Sequence, residues 1–384
     1  LTALLPLHRV VPVATHIVGL RALPLILGCG CAAVFAADES HRFVFDRGGG
    51  KLVYETDARG NRIPDFSHAG YGGGGVPLPD VPVRAVVEPA EGDDGARIQA
   101  ALDDVSRRVP DGQGFRGTVL LTKGRYEIAG HLRIATRGVV LRGEGREPNG
   151  TVLVAAGNGR RTLIQISGTF DRRMTTPSFP VVDRYVPVGA TNLRLANVSG
   201  LRVGDTVLVE RPSTKAWIDA LGMHQFPGRT GGDWRFSWVP GKMDLAWDRV
   251  VIAIAGNQIA LDAPITTALD ADFGGGRVSA FSWPGRLQHV GVENLRCESA
   301  FDAANPRDEE HAWMAIGFES VDNAWVRQVT AVHFVSSLAS VLENCKRVTV
   351  EDCAALAPVS ELAGYRRHSF YTSGQQTLFQ RCRA

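Results

Sequence analysis

The chain contains no C-x-x-C pair, no H-E-x-x-H and no G-x-S-x-G, so structural zinc, zincin chemistry and a nucleophile elbow lack their usual signatures. A surplus of either charge is missing too. Lys and Arg number 42 against 40 Asp and Glu, and Arg9 and Arg21 fall in a leader described below, so the remainder is balanced. Global charge therefore supplies no drive toward nucleic acid. No uncharged apolar run reaches the roughly 20 residues that cross a bilayer as a helix. What the chain does have is glycine (43), proline (20) and a 44% hydrophobic content. That mixture is neither disordered nor fibrous and builds one large domain or two small ones.

Residues 22–36 (ALPLILGCGCAAVFA) are uncharged and apolar, and they end in small residues at Val34 and Ala36. This predicts a secretory signal peptide over 1–36, cleaved after Ala36, and a secreted or periplasmic protein without a transmembrane segment. Ile26-Leu27-Gly28-Cys29 loosely resembles a lipoprotein box, although Leu27 stands where a small residue is usual; a lipid anchor at Cys29 is the alternative. Outside the leader, Cys297, Cys345, Cys353 and Cys382 each sit in or after an alternating strand. They are read as buried thiols rather than as a disulfide framework.

Residues 37–89 are Gly- and Pro-rich and predict an extended lead-in. At Gly92-Asp93-Asp94-Gly95 the character changes: Ile98, Ala101, Leu102 and Val105 fall on one helical face, and Val109-Pro110-Asp111-Gly112 stops the helix. Short strands then follow at 117–121, 125–128, 131–134 and 138–143, separated by Gly-containing turns. In the last hundred residues an apolar-polar-polar-apolar phrase recurs at Val292, Val326, Val350 and Phe379, at spacings of 34, 24 and 29 residues. An irregular repeat in this range is the signature of a solenoid. It places Leu295, Val329, Cys353 and Cys382 in one interior column and Cys297, Ala331, Ala355 and Ala384 in the next.

G-D-D-G-x-x-I-Q-A-A-L, then T-V-L-L-T-K-G-R-Y-E-I, then G-V-V-L-R-G-E-G resembles the opening of the pectate-lyase-like right-handed parallel β-helix superfamily. The resemblance covers residues 90–155 by motif and 285–384 by repeat. It implies an all-β solenoid with an N-terminal capping helix that binds or cleaves polysaccharide. Fold follows from it more firmly than reaction does, because the superfamily holds lyases, hydrolases, isomerases and adhesins. The expected organisation is a lead-in over 37–89, capping helix and first rungs over 90–179, a β-rich insertion over 180–275, and further rungs over 276–384. A solenoid needs a cap over its last layer, so the natural protein is expected to continue past Ala384.

The insertion is expected to be antiparallel, with Gly256-Asn257 turning between two apolar runs. Its polar segment 211–248 holds Trp217, Trp234, Trp238 and Trp247, four of seven tryptophans. They suit either a small core or a platform for sugar rings.

The expected function is an exported enzyme degrading an acidic polysaccharide, foremost a lyase acting by β-elimination on a uronic-acid polymer. A glycoside hydrolase and a non-catalytic carbohydrate-binding adhesin are the alternatives. β-Elimination needs a base, a cation for the substrate carboxylate and an acid for the leaving oxygen. Tyr365-Arg366-Arg367-His368 concentrates such groups. If that run is extended, Arg366 and His368 share a face, with Arg366 as carboxylate clamp, His368 or His333 as base, Arg367 beside them and His311 at the groove's margin. Substrate contacts are expected from Tyr365, Gln375, Gln376, Trp234, Trp238 and Trp313. Asp308, Glu309 and Glu310 form a candidate Ca²⁺ site; no other cofactor is indicated. Asp322 and Asp352 make no close pair in sequence, which favours lyase over hydrolase.

Overall fold

The structure, a computed structural model, describes residues 44–46, 52–224, 226–227 and 235–384. The leader, Cys29 and Trp234 lie outside them. The described chain is mostly β, and its strands fall into two kinds of sheet. No described helix is long and apolar enough to cross a membrane.

Two sheets are parallel throughout. The larger has ten strands, and its longest path runs Val83–Val87, Gly117–Leu121, Val139–Gly143, Leu287–Ser299, Val321–Val332, Lys346–Glu351 and Leu378–Gln380. The smaller has five, in the order Leu132–Ile134, Thr162–Ser167, Met314–Glu319, Ala339–Val341 and Phe370–Thr372. The chain thus visits one sheet and then the other in turn. The first strand, Val83–Val87, lies inside the stretch read as lead-in; it takes one end of the sheet, where a neighbouring proline does not interrupt a ladder on both sides.

Register reproduces the repeat. Val292 pairs with Val326, Val326 with Val350 and Val350 with Phe379. Leu295, Val329 and Cys353 are buried in one core and Cys382 packs against it, while Ala384 is exposed. The same spacing appears in the backbone: Asn294, Gln328, Asp352 and Arg381 all take positive φ, as do His289, Asn323, Arg347 and Gln376. Each turn of chain therefore bends at two left-handed residues in corresponding places. Non-glycine residues pay little for this only as single corners, and three of these eight are Asn or Asp.

Gly95–Ser106 is the predicted helix. Asp94 stands at its N-cap, Asp93 accepts the Gly95 N–H at 2.9 Å, and Ile98, Leu102 and Val105 enter the parallel-sheet core. On the opposite face of the larger sheet, Val81, Phe115, Val140 and Trp325 form a separate cluster. Gly291 permits it, since a Cβ there would lie 2.2 Å from the Trp325 ring. Tyr71 closes this cluster edge-on to Trp325 at 5.3 Å, and its hydroxyl hydrogen-bonds His289 Nδ1 at 2.8 Å. The strap around Tyr71 is pinned further along by Gly72 N–H to Asn323 Oδ1 and Gln376 Nε2 to the His68 carbonyl.

Between Ser167 and Leu287 the ladders are antiparallel. Seven strands form a sheet whose longest members are Thr206–Arg211, Leu245–Ala255 and Arg277–Ser282. Leu245–Ala255 turns through Gly256-Asn257 into Gln258–Leu261. The sheet also takes in Arg173–Met174 and Phe179–Pro180, ahead of the boundary expected at 180. It has its own core around Leu193, Val209, Trp247, Ile259 and Val278.

Candidate functional site

The sequence-predicted residues separate into a closed cluster and a groove. Arg366 and Arg367 do not lie in an extended run. Tyr365 and Arg367 take φ of 67° and 55°, and the strand begins only at Phe370. Nor does that run neighbour the strand ending before His333. Val321–Val332 pairs onward with Lys346–Glu351 and Ala354–Leu356, whereas Phe370–Thr372 belongs to the smaller sheet. The expected convergence of His333 with His368 thus fails on register.

Arg366 instead grips Glu309, donating from Nε and Nη2 to the two carboxylate oxygens at 2.7 and 2.8 Å. That hydrogen bond holds the Glu309 carboxyl below the usual carboxylate range. The guanidinium groups of Arg160 and Arg366 lie 5.2 and 5.3 Å from the centre of the Trp313 ring, whose Nε1 donates to the Glu309 carbonyl. Arg160 also pairs with Glu310 at 2.7 Å. Asp308 accepts the backbone N–H groups of Asp302 and Glu310. The three acidic side chains are thus engaged by Arg366, Arg160 and backbone N–H groups, with Arg160 reaching both Glu309 and Glu310, and among the described residues no three His, Cys, Asp or Glu are grouped to hold a metal ion. The Ca²⁺ reading is corrected accordingly.

His311 is fully buried, not at the margin of a groove. Its Nε2 faces the carbonyls of Asp308 and Val359, both at 3.2 Å, so Nε2 carries the proton and Nδ1 accepts from the Ser299 hydroxyl at 2.8 Å. With both nitrogens engaged, this ring ties loops together. Arg367 does similar work, donating to the Ser360 carbonyl at 2.8 Å. His333 sits edge-on to Phe301 at 4.9 Å, and burial lowers its pKa. His368 and Tyr365 are exposed, and the His368 ring stacks on Tyr371. Trp238 leans on Trp217 at 5.7 Å, with the Arg211 guanidinium 4.1 Å from the Trp217 ring centre. Trp247 is core and donates to Thr266.

Gln375 and Gln376 lead to the groove. Two cavities of about 350 and 270 Å³ share Ala246 and Gln375 where the inserted sheet meets the late parallel strands. The larger is bounded by Asp65, His68, Arg249, Gln376 and Thr377. Arg172, Trp283, Arg286, Glu343 and Ser373 bound the smaller. Phe170 packs edge-on to Trp283 at 4.9 Å, and the Arg172 guanidinium lies 5.7 Å from the same ring.

Buried charge forms the floor. Asp248 is bridged by Lys346 Nζ at 3.0 Å and by Arg286. Burial alone would raise its pKa, but the two cations outweigh it and hold the carboxyl below its ordinary value. Asp262 lies 4.0 Å from the same ammonium. Arg249, also buried, has no carboxylate within salt-bridge distance among the described residues. It donates to the carbonyls of Ala263, Pro264 and Asp248 and to Gln375 Oε1. Around the two cavities Arg172, Arg249 and Arg286 thus stand with Asp65, Asp248 and Glu343, and Arg249 is the one of these arginines held by carbonyl and amide oxygens alone. Arg286 Nε and Gln376 Oε1 are buried without a hydrogen-bond partner among the described residues, in walls of the two cavities. Unpartnered polar atoms in a concave site are places where a ligand's polar groups fit.

Sequence reading missed Arg172, Trp283, Arg286, Asp248, Arg249 and Lys346. One signal was available: Asp248-Arg249 interrupts the otherwise apolar strand Leu245–Ala255, and charge inside such a strand has to be paired.

No protein-family model matches the chain, and no curated protein matches it in sequence. Among solved structures, the tailspike gp49 of Pseudomonas phage LKA1 is similar at 13% identity and a TM-score of 0.44, over 75% of this chain and 39% of that one. The tailspike gp61 of Pseudomonas phage phi297 is similar at 13% identity and a TM-score of 0.36, over 75% and 41%. The tailspike of E. coli bacteriophage HK620, solved with a pentasaccharide, matches at 14% identity and a TM-score of 0.30, over 77% and 37%. The chain spans less than half the length of each.

Proposed function

We propose that the two parallel sheets are walls of one right-handed parallel β-helix, capped by the helix Gly95–Ser106, and that the groove beside the inserted sheet takes up an acidic polysaccharide. Right-handed crossovers are the rule for parallel strands. The observation that carries the functional reading is the groove wall, where buried Arg249 donates only to carbonyls and to Gln375 Oε1 and Arg286 Nε has no hydrogen-bond partner among the described residues. Trp283 and Arg172 border it. A uronic-acid residue supplies what such a site lacks: a carboxylate for the guanidinium groups of Arg249 and Arg286 and an apolar ring face for the indole.

The reaction assigned is β-elimination. A cationic floor stabilises the charge that grows on the substrate carboxylate as the α-proton leaves. His68, lining the adjoining cavity, is assigned as the base. The electron pair of the broken C–H bond forms the new C=C bond, the glycosidic C–O bond breaks, and the leaving oxygen takes up a proton. Export through the leader 1–36 belongs to the same reading.

The test is incubation of the full chain with pectate, alginate and glycosaminoglycans while following absorbance of unsaturated products, new reducing ends and binding. Absorbance that disappears in His68→Ala supports the lyase. Reducing ends without absorbance point to a hydrolase using Glu343, and binding with neither points to an adhesin. No binding to any acidic polymer overturns the proposal.

A further inference from the structure

The last two strands of the larger sheet place two cysteines side by side. Glu351 pairs with Gln380, and Ala354 bridges Arg383, so the residues between, Cys353 and Cys382, occupy matching positions. Arg383 N–H donates to the Cys353 carbonyl at 3.0 Å, and Asp352 N–H to the Gln380 carbonyl at 3.2 Å, which fixes the register on both sides. Both side chains point into the same core. Their hydrogen bonds repeat: each thiol reaches the carbonyl two residues before it, and each also reaches a carbonyl of the preceding strand, Val326 for Cys353 and Val350 for Cys382. Adjacent parallel strands lie about 4.8 Å apart, inside the Cα separation of roughly 4.4–6.8 Å that a disulfide spans. Both thiols are free in this structure.

We propose that Cys353 and Cys382 are a redox pair that closes to a cross-strand disulfide when the protein meets a low-molecular-weight disulfide. The two are unequal in a way that orders the steps. Cys353 lies in the core and Cys382 packs against it from the next strand. The hydrogen bond from Cys353 also lowers the Cys382 thiol to about 7. The Cys382 thiolate attacks the disulfide reagent and forms a mixed disulfide, releasing one thiolate. Cys353 then loses its proton and attacks Cys382 Sγ, releasing the second. Two protein thiols are oxidised and one reagent disulfide is reduced to two thiols, so the electrons balance. Among the described residues Cys297 and Cys345 have no such neighbour, and burial pushes both thiols up to about 12.

The full chain is equilibrated with excess oxidised glutathione, alkylated and mapped by mass spectrometry after trypsin, with a reduced sample alongside. A linked peptide carrying Cys353 and Cys382 is expected, at 2 Da below the sum of the reduced peptides, which is two hydrogens lost. The oxidised protein should melt about 5 °C higher, because the bridge ties down the strand Leu378–Gln380. Cys382→Ser should abolish the linked peptide and the shift, whereas Cys297→Ser should keep both. Glutathionylated Cys382 with an alkylated Cys353 would overturn the proposal, as would linkage of either cysteine to a different partner. The mapping is read on the unmutated chain, so a variant that fails to fold does not remove the test.

Discussion

Two places in this molecule combine arginine, carboxylate and tryptophan, and they differ in what is left over. Around Trp313, Arg366 and Glu309 satisfy each other in a two-pronged pair and Arg160 takes Glu310. Side by side with that stands the junction of the two sheet types. There Asp248 holds two cations, Arg249 finds only carbonyls and a neutral amide, and two polar atoms have no partner. The first cluster is complete as a structural clamp. The second leaves one donor, Arg286 Nε, and one acceptor, Gln376 Oε1, without partners among the described residues. Residue types are the same in both, so composition cannot tell a clamp from a site; the balance of partners can.

Asp248→Ala should have the largest effect. Removing the carboxylate leaves Lys346 and Arg286 as buried cations without their shared partner, and breaking a buried pair in this way costs about 3–5 kcal/mol. Urea unfolding monitored by fluorescence should show the midpoint drop with little change in slope. An unchanged midpoint would mean that solvent reaches this floor. The pH dependence has a definite sign. The folded pKa of Asp248 lies below its unfolded value near 4, so its contribution is complete above about pH 4. It is lost as pH falls through the lower, folded value. Asp248→Asn should lack that acid limb while the parent chain keeps it.

The second expectation sets the clusters against each other directly. Trp283→Ala should weaken binding of the acidic polymer about tenfold, the scale of one lost aromatic contact of roughly 1.4 kcal/mol. Trp313→Ala should leave that affinity unchanged, because Trp313 borders neither of the two cavities. Titration calorimetry reads both. Equal loss in the two variants would remove the distinction drawn here.

Much of the fold was legible because a parallel ladder writes its register into the sequence. The spacings of 34, 24 and 29 are the pairings Val292 to Val326 to Val350 to Phe379, since each interior position repeats whenever the chain returns to the same sheet. The helix was legible from one apolar face. The site was not, for two physical reasons. The run Tyr365–His368 reads as extended, but left-handed residues at Tyr365 and Arg367 turn the chain there, and Tyr and Arg do not announce such a corner as Gly, Asn or Asp can. The groove is also assembled from segments that are remote in sequence: Asp248 and Lys346 meet across 98 positions. Lys346 is among the largest fully buried side chains, yet a lone lysine in sequence reads as solvated surface.

The smallest effect is expected at the residue once favoured as the carboxylate clamp. Arg366 and Glu309 make a two-pronged, charge-assisted pair, but both remain partly exposed, and solvent and salt screen what such a pair contributes. Arg366→Ala should therefore lower the melting midpoint far less than Asp248→Ala does. The difference from the parent chain should shrink further in high salt, where the intact pair is already weakened. Polysaccharide affinity and any turnover should stay at the parent level, because every strong partner of Arg366 belongs to its own cluster. Calorimetric melts in low and high salt, with the binding titration repeated on the same variant, read all three quantities. Loss of binding with an unchanged melt would return the site to the Arg366 cluster and leave the charged floor at Asp248 as the structural clamp.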